Sequence, residues 1–276
     1  MDTSETTIRH LSICSGYEGI GLGLRRIFRN VTEVALVERE AFSVAVLVKE
    51  MEKNRMAPAP IWTDINTFPF HLFRGKAHIW SSGLPCQPFS NSGLRKSDRD
   101  ERHLFPILEN GIRKCRPPLV FLENVEGIIT TKTKEGEPVL KFVLRRLESL
   151  GYLAEAGIFS ASECGGGHQR KRVFVLAYSD SKGLEGWDSK SLQKYASELS
   201  PRKSRTPRQV PAPINEPQHL WESPRTLPIK SGLDGATYGV ADRVDRTRIL
   251  GNGVFPRTAE KAFRILAKKL IQRIEK

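Results

Sequence analysis

The chain has 276 residues, of which 39% are hydrophobic, and carries a formal net charge of +13. This length suits one large domain, or a catalytic domain with a small appendage, and it can bury a core without staples. The four cysteines, Cys14, Cys86, Cys115 and Cys164, lack CxxC spacing, which argues against a zinc ribbon, a disulfide scaffold or any metal centre.

No apolar run reaches the length of a membrane span, and residues 1–10 carry no signal-peptide core. A soluble, cytoplasmic protein without a membrane partner is expected. The basic excess attracts polyanions without saying which. It is concentrated late: from Ser179 onward the net charge is +8, against +5 before it.

In chain order, Ile8–Cys14 reads as a strand ending in Ser15-Gly16. Gly19–Phe28 reads as a helix with Ile20, Leu24, Ile27 and Phe28 on one face. Val34–Val37 is a short strand closed by Glu38, and Phe42–Met51 is helical. Ala77–Ser81 and Leu119–Leu122 are further apolar strands. Val139–Leu150 has helical spacing and stops at Gly151. Tyr152–Phe159 and Arg172–Tyr178 read as two more strands, antiparallel neighbours at a sheet edge. Alternation of strands and helices predicts an α/β fold, a doubly wound, mostly parallel sheet.

Composition then changes. Seven prolines lie between Pro201 and Pro228, which is either a linker or a small loop-rich module. Pro256–Lys276 closes the chain as an amphipathic helix with a stripe of Ala259, Phe263, Leu266, Leu270 and Ile274. The expected division is an alternating strand–helix core over 1–178, a small insert over 179–239, and a closing segment over 240–276.

Several motifs sit at predicted strand ends. Ser15-Gly16-Tyr17-Glu18-Gly19-Ile20-Gly21 is either a tight turn or a glycine loop that lets backbone approach a ligand. Glu38, about 20 residues on, is placed to accept from ribose hydroxyls, and Asp64 from an adenine amino group. Either acid alone also fits a solvated loop residue. Gly83-Leu84-Pro85-Cys86-Gln87-Pro88-Phe89-Ser90 puts a cysteine on a rigid Pro-flanked turn. The polar run Asn91–Arg102 has the composition of a loop that closes over a substrate.

Phe121-Leu122-Glu123-Asn124-Val125 delivers another carboxylate, a candidate proton donor if burial raises its pKa. His168-Gln169-Arg170-Lys171-Arg172 puts Arg170 and Arg172 on one strand face, either a solvated basic edge or a recogniser of carbonyl or phosphate. Leu250-Gly251-Asn252-Gly253-Val254 alone means only a turn.

Taken in this order and spacing, these motifs resemble the DNA (cytosine-5) methyltransferase family of the bacterial or phage modification type, over roughly Leu11–Leu176 and Val240–Phe263. The resemblance implies a Rossmann-like S-adenosylmethionine-dependent methyltransferase core. It implies that Ser15, Gly16, Tyr17, Gly19, Glu38, Asp64, Pro85, Asn252 and Val254 line the S-adenosylmethionine pocket. Cys86 matches the nucleophile that adds to cytosine C6. Glu123 matches the acid at N3 and the amino group, and Arg172 the residue holding the base carbonyl, with Arg170 in support. Gln87, Ser90 and Asn124 complete the substrate contacts. The terminal helix is implied to pack back onto the first strand, and 179–239 to be the target-recognition region, with Arg202–Arg208 a candidate phosphate contact.

The implied partner is double-stranded DNA, bound by a monomer, with a cognate restriction endonuclease acting separately as a candidate companion. This chain departs from the family's pattern at Glu18, where glycine is usual, at Cys14, where an aromatic is common, and at His168. The Glu18 carboxylate is expected either near the methionine end of the cofactor or in solvent. Two other readings compete: an RNA cytosine-5 methyltransferase on the same scaffold, and a non-catalytic basic DNA-binding protein.

Overall fold

The computed structural model describes residues 7–83, 104–166, 169–179 and 253–275. Their centre is a seven-stranded sheet. Its strands are β1 (Ile8–Ile13), β2 (Val31–Val37), β3 (Ile61–Trp62), β4 (Ile79–Gly83), β5 (Leu119–Val125), β6 (Leu153–Ser160) and β7 (Lys171–Tyr178). They lie in the order β3-β2-β1-β4-β5-β7-β6. The first five are parallel, and β7 runs antiparallel between β5 and β6. The expected mostly parallel sheet with an antiparallel pair towards one edge is what forms. β5 is buried from Leu119 to Asn124, which is why it reads as a continuous apolar run and not an alternating one.

The chain leaves β1 towards β2 on one side and later returns to β4 on the other, so the strand order reverses at β1 and β4. In sheets of this kind the crevice that takes a ligand lies at the carboxyl ends of the two strands where the order reverses, here β1 and β4.

Among the described residues, five helices flank the sheet: α1 (Gly19–Leu24), α2 (Ala41–Glu52), α3 (Phe105–Cys115), α4 (Val139–Ser149) and α5 (Pro256–Ile274). α3 and α4 bury Leu108, Ile112, Val143 and Leu147 against Leu11, Trp80 and Val120. α1 and α5 cover the opposite face, where Ile20, Leu24, Phe263 and Leu266 meet Ile79, Leu119, Phe121 and Phe174. The Phe263 ring stands edge-on to Phe28 and Phe121, with centroids 5.5 and 5.3 Å away. A Cβ on Gly23 would fall 2.8 Å from both the Ala259 Cβ and the Pro256 carbonyl oxygen, so glycine sets the close approach of α1 to α5.

Three expectations need adjusting. The first helix ends at Leu24, not Phe28, because three glycines in six residues give it little intrinsic propensity and the chain must turn into β2. Among the described elements, α5 packs chiefly on α1, β6 and β7, and β1 contributes Ile8 to the same cluster. α3 is unanticipated. Its Pro106 sits in the first turn, where a missing N–H costs nothing, and Arg116 in the left-handed region with Pro117 ends it. Of the expected insert over 179–239, Ser179 is described and 180–239 lie outside the described residues.

Candidate active site

The glycine loop is built on hydrogen bonds from β2. Ser15 N donates to the Val37 carbonyl at 3.1 Å, and Gly16 N donates to Glu38 Oε2 at 2.6 Å. Glu38 Oε1 accepts from Glu40 N at 2.8 Å. The Glu38 carboxylate thus fastens the β1 loop to the β2 loop. Each oxygen keeps a second lone pair for a hydroxyl. Gly16 has φ +55°, and a Cβ built there would meet no atom of the described residues within 4 Å.

Asp64 stands just past β3, whose Trp62 pairs with Val37. Its Oδ1 accepts from both Asn66 N and Asn66 Nδ2, and these bonds hold its carboxyl below the ordinary aspartate value. The three loops therefore lie side by side at one sheet edge.

The C-terminal segment closes on this loop. The Tyr17 hydroxyl donates to the Val254 carbonyl at 2.5 Å. A Cβ on Gly19 would lie 2.2 Å from that same oxygen, so any side chain there would push the two segments apart. Val254 is itself buried. Tyr17 and Val254, 237 residues apart in sequence, are thus brought together.

On the other side of the crevice, Glu123 lies near the carboxyl end of β5 and is 5% exposed. Burial pushes its carboxyl up to about 7, against the opposing pull of Arg172 and Arg170. Arg172 Nε lies 2.8 Å from Glu123 Oε1. That oxygen meets no donor with hydrogen-bond alignment, so the pairing is chiefly ionic. The register sets it: Glu123 pairs with Phe174, and Arg172 stands two residues along on the same face of β7. Arg170 precedes β7, and burial, then the neighbouring Arg172, lowers its pKa. Tyr17 feels both Arg170 and Glu123, although burial dominates its raised pKa. The glycine loop and the carboxylate–arginine cluster are therefore within electrostatic reach of one another.

Glu123 also pairs in register with Gly83, the last residue of β4, and a Cβ on Gly83 would lie 3.6 Å from Glu123 Oε2. β4 thus delivers the chain to this carboxylate three residues before Cys86.

Comparison with known proteins decides the family. The model for the C-5 cytosine-specific DNA methylase matches residues 8–230. The chain belongs to that family. It is 32% identical over 171 residues to the type II methyltransferase M.NgoMIV of Neisseria gonorrhoeae, covering 60% of this chain and 50% of that protein. It is 30% identical over 172 residues to M.CviJI of Paramecium bursaria Chlorella virus IL3A, covering 62% and 43%. The chain thus spans about half the length of these relatives or less. Among solved structures, the S. pombe Dnmt2 methyltransferase superposes with a TM-score of 0.52 at 21% identity, covering 73% of this chain and 59% of that one. A Dnmt2 mutant from Spodoptera frugiperda gives 0.51 at 18%, covering 66% and 53%. At those identities the likeness is one of fold.

Within the methylase framework, the described site residues Ser15, Gly16, Tyr17, Gly19, Glu38, Asp64, Val254, Glu123, Arg170 and Arg172 all gather at this end of the sheet. Asn124 alternates with Glu123 on β5, and its Oδ1 accepts from the amide of Val125. Pro85, Cys86, Gln87, Ser90, His168 and Asn252 lie outside the described residues. Burial, then the charge of Glu38, raises the Cys14 thiol to about 12, so it stays protonated.

Glu18 corrects both expectations for it. The residue is 2% exposed and turns neither to solvent nor into the crevice, but beneath the loop. There Ser12 Oγ donates to its Oε2 at 2.7 Å, and His10 Nδ1 lies 3.2 Å from Oε1. His10, Glu33 and Arg25 are the residues sequence reading passed over. The available signal was a histidine in the middle of the first strand.

Proposed function

We propose that the protein is the catalytic and cofactor-binding part of a DNA (cytosine-5) methyltransferase acting on a flipped-out cytosine in duplex DNA. The modification serves restriction–modification or phage DNA protection. The observation that carries this is a buried carboxyl group with a pKa near 7, paired with Arg172 and in register with the strand that leads to Pro85-Cys86-Gln87.

The residues at the sheet edge fit S-adenosylmethionine. Glu38 retains lone pairs for ribose hydroxyls, Asp64 offers a carboxylate for an adenine amino group, and Gly16, with no side chain, admits backbone approach. Val254 and Tyr17 close the loop from the C-terminal side. When bound, S-adenosylmethionine supplies an electrophilic methyl group on a sulfonium.

Cytosine C5 is too weak a nucleophile to take that methyl unaided. The Cys86 thiolate adds at C6 while Glu123 gives its proton to N3, and the ring becomes enamine-like with its electron pair directed at C5. Arg172 holds the base carbonyl, and its charge keeps the Glu123 carboxylate stable once the proton has left. After C5 is methylated, water takes the C5 proton, the C5–H electron pair forms the C5=C6 bond, and Cys86 leaves with the C6–S pair as thiolate. N3 then returns its proton to Glu123. Extruding the base costs a few kcal/mol, offset by contacts in the pocket and on the basic surface.

Bisulfite sequencing of DNA from cells expressing the protein tests this reading. Protected cytosines in one short sequence context are expected. Uniform conversion, alongside methylation of tRNA offered separately, would assign the scaffold to RNA instead.

A further inference from the structure

We propose that Glu18 is a positioning residue for the cofactor loop, tying that loop to the sheet through the buried ring of His10. The inference rests on the reading of Ser15–Gly19 as the S-adenosylmethionine loop.

Glu18 immediately precedes α1 and has φ 66°, a left-handed conformation that costs a non-glycine residue energy. Surroundings must hold it there. Ser12 of β1 donates to Oε2, and His10 of β1 lies against Oε1. Room for the carboxylate comes from Gly21, where a Cβ would lie 2.1 Å from Oε1. His10 is fully buried, its Nε2 2.7 Å from Ser81 Oγ on β4 and its Nδ1 3.6 Å from Glu33 Oε1 on β2. Arg25, capping α1, pairs with the other oxygen of Glu33. One glutamate side chain thus links the loop to β1, β2 and β4 together.

The charges facing His10 are Glu18 from the loop and Glu33 from β2, the latter shared with Arg25; β1 and β4 offer the hydroxyls of Ser12 and Ser81. Two carboxylates against one guanidinium leave a buried negative charge, which a protonated imidazole cancels. Burial lowers the His10 pKa, but the two carboxylates overcome it and bring the ring to about 9. Burial raises Glu33, and His10 with Arg25 more than reverses that.

The three ligand atoms also lie within 4.8 Å of one another, so a buried cation is the rival occupant of this centre. A divalent ion bound to a neutral His10 would leave the group with an excess positive charge, whereas a proton balances it.

The wild-type chain tests the inference without mutation. Carbon-13 NMR of labelled histidine should show one imidazolium persisting at pH 8. Affinity for S-adenosylhomocysteine, by calorimetry, should be level from pH 6.5 to 8 and fall above about 9. Glu18→Gln should weaken that affinity about tenfold at pH 7, the loss of one charge-assisted contact, and remove the alkaline break. The rise in KM for S-adenosylmethionine should exceed any change in kcat. Overturning results are a neutral His10 at pH 7, an affinity indifferent to Glu18→Gln, or a stoichiometric metal ion surviving chelator. Failure of S-adenosylhomocysteine to bind the wild type at any pH would instead refute the cofactor reading itself.

Discussion

Arg172 and Glu123 face each other across β7 and β5, guanidinium Nε 2.8 Å from carboxylate Oε1, with both side chains largely buried. The pair balances two needs. Burial keeps the acid able to hold a proton near neutrality, and the arginine limits the cost of its departure. Glu123→Gln keeps the shape and removes the proton. It should lower kcat by about 10²- to 10⁴-fold, the usual share of a general acid. The pH profile adds the sign: with the acid at about 7 in the free protein, wild-type kcat/KM should fall as pH rises through 7, and the residual Gln activity should not follow that limb. Initial rates of tritiated methyl transfer from pH 6 to 9 measure both.

Closure of the glycine loop by the C-terminal segment gives a second expectation. Gly19→Ala places a methyl 2.2 Å from the Val254 carbonyl oxygen, in backbone that has little freedom to yield. Overpacking of this kind costs about 1–3 kcal/mol. Thermal unfolding should shift down by several degrees, and KM for S-adenosylmethionine should rise more than kcat falls.

Stability should also depend on alkaline pH. His10 has its ordinary value of 6.5 unfolded and about 9 in the fold, so the folded state binds the proton more tightly. Its contribution is complete below pH 6.5, declines as pH rises from there, and is lost above about 9. Urea midpoints should fall over that window, and Glu33→Gln should flatten the decline.

Much of this was legible in the chain itself, for physical reasons. Parallel strands buried on both faces leave uninterrupted runs such as Leu119–Leu122, and the amphipathic stripe of α5 shows plainly at 3.6-residue spacing. Residues at strand ends follow from the strands, so Glu38, Asp64, Glu123 and Arg172 stand out in the sequence, and the fold carries them to one end of the sheet. α3 was hidden because its apolar residues Leu108, Ile112 and Cys115 are set among charges and follow a long polar run. The His10–Glu18–Glu33 group was hidden for a different reason. It joins residues of β1, the loop and β2 through a lateral register that no local pattern records.

The insert offers a prediction from charge alone. Arg202, Lys203, Arg205 and Arg208 are the densest basic run between Ser179 and Gly239. If they meet phosphate, each neutralised contact should reduce the slope of log affinity against log salt by about 0.9. Replacing all four with Gln should lower it by about 3 to 4, measured by fluorescence anisotropy on duplex DNA. An unchanged slope would make the run a passive linker.

The account turns on covalent attack by Cys86. Duplex DNA carrying 5-fluorocytosine in the target sequence, incubated with S-adenosylmethionine, should give a complex that survives denaturation, because fluorine at C5 cannot leave as a proton would. Peptide mass spectrometry should map the bond to Cys86, and Cys86→Ser should form no such complex while binding DNA within about threefold of the wild type. Attachment at another residue, or unaltered turnover by Cys86→Ser, would contradict it.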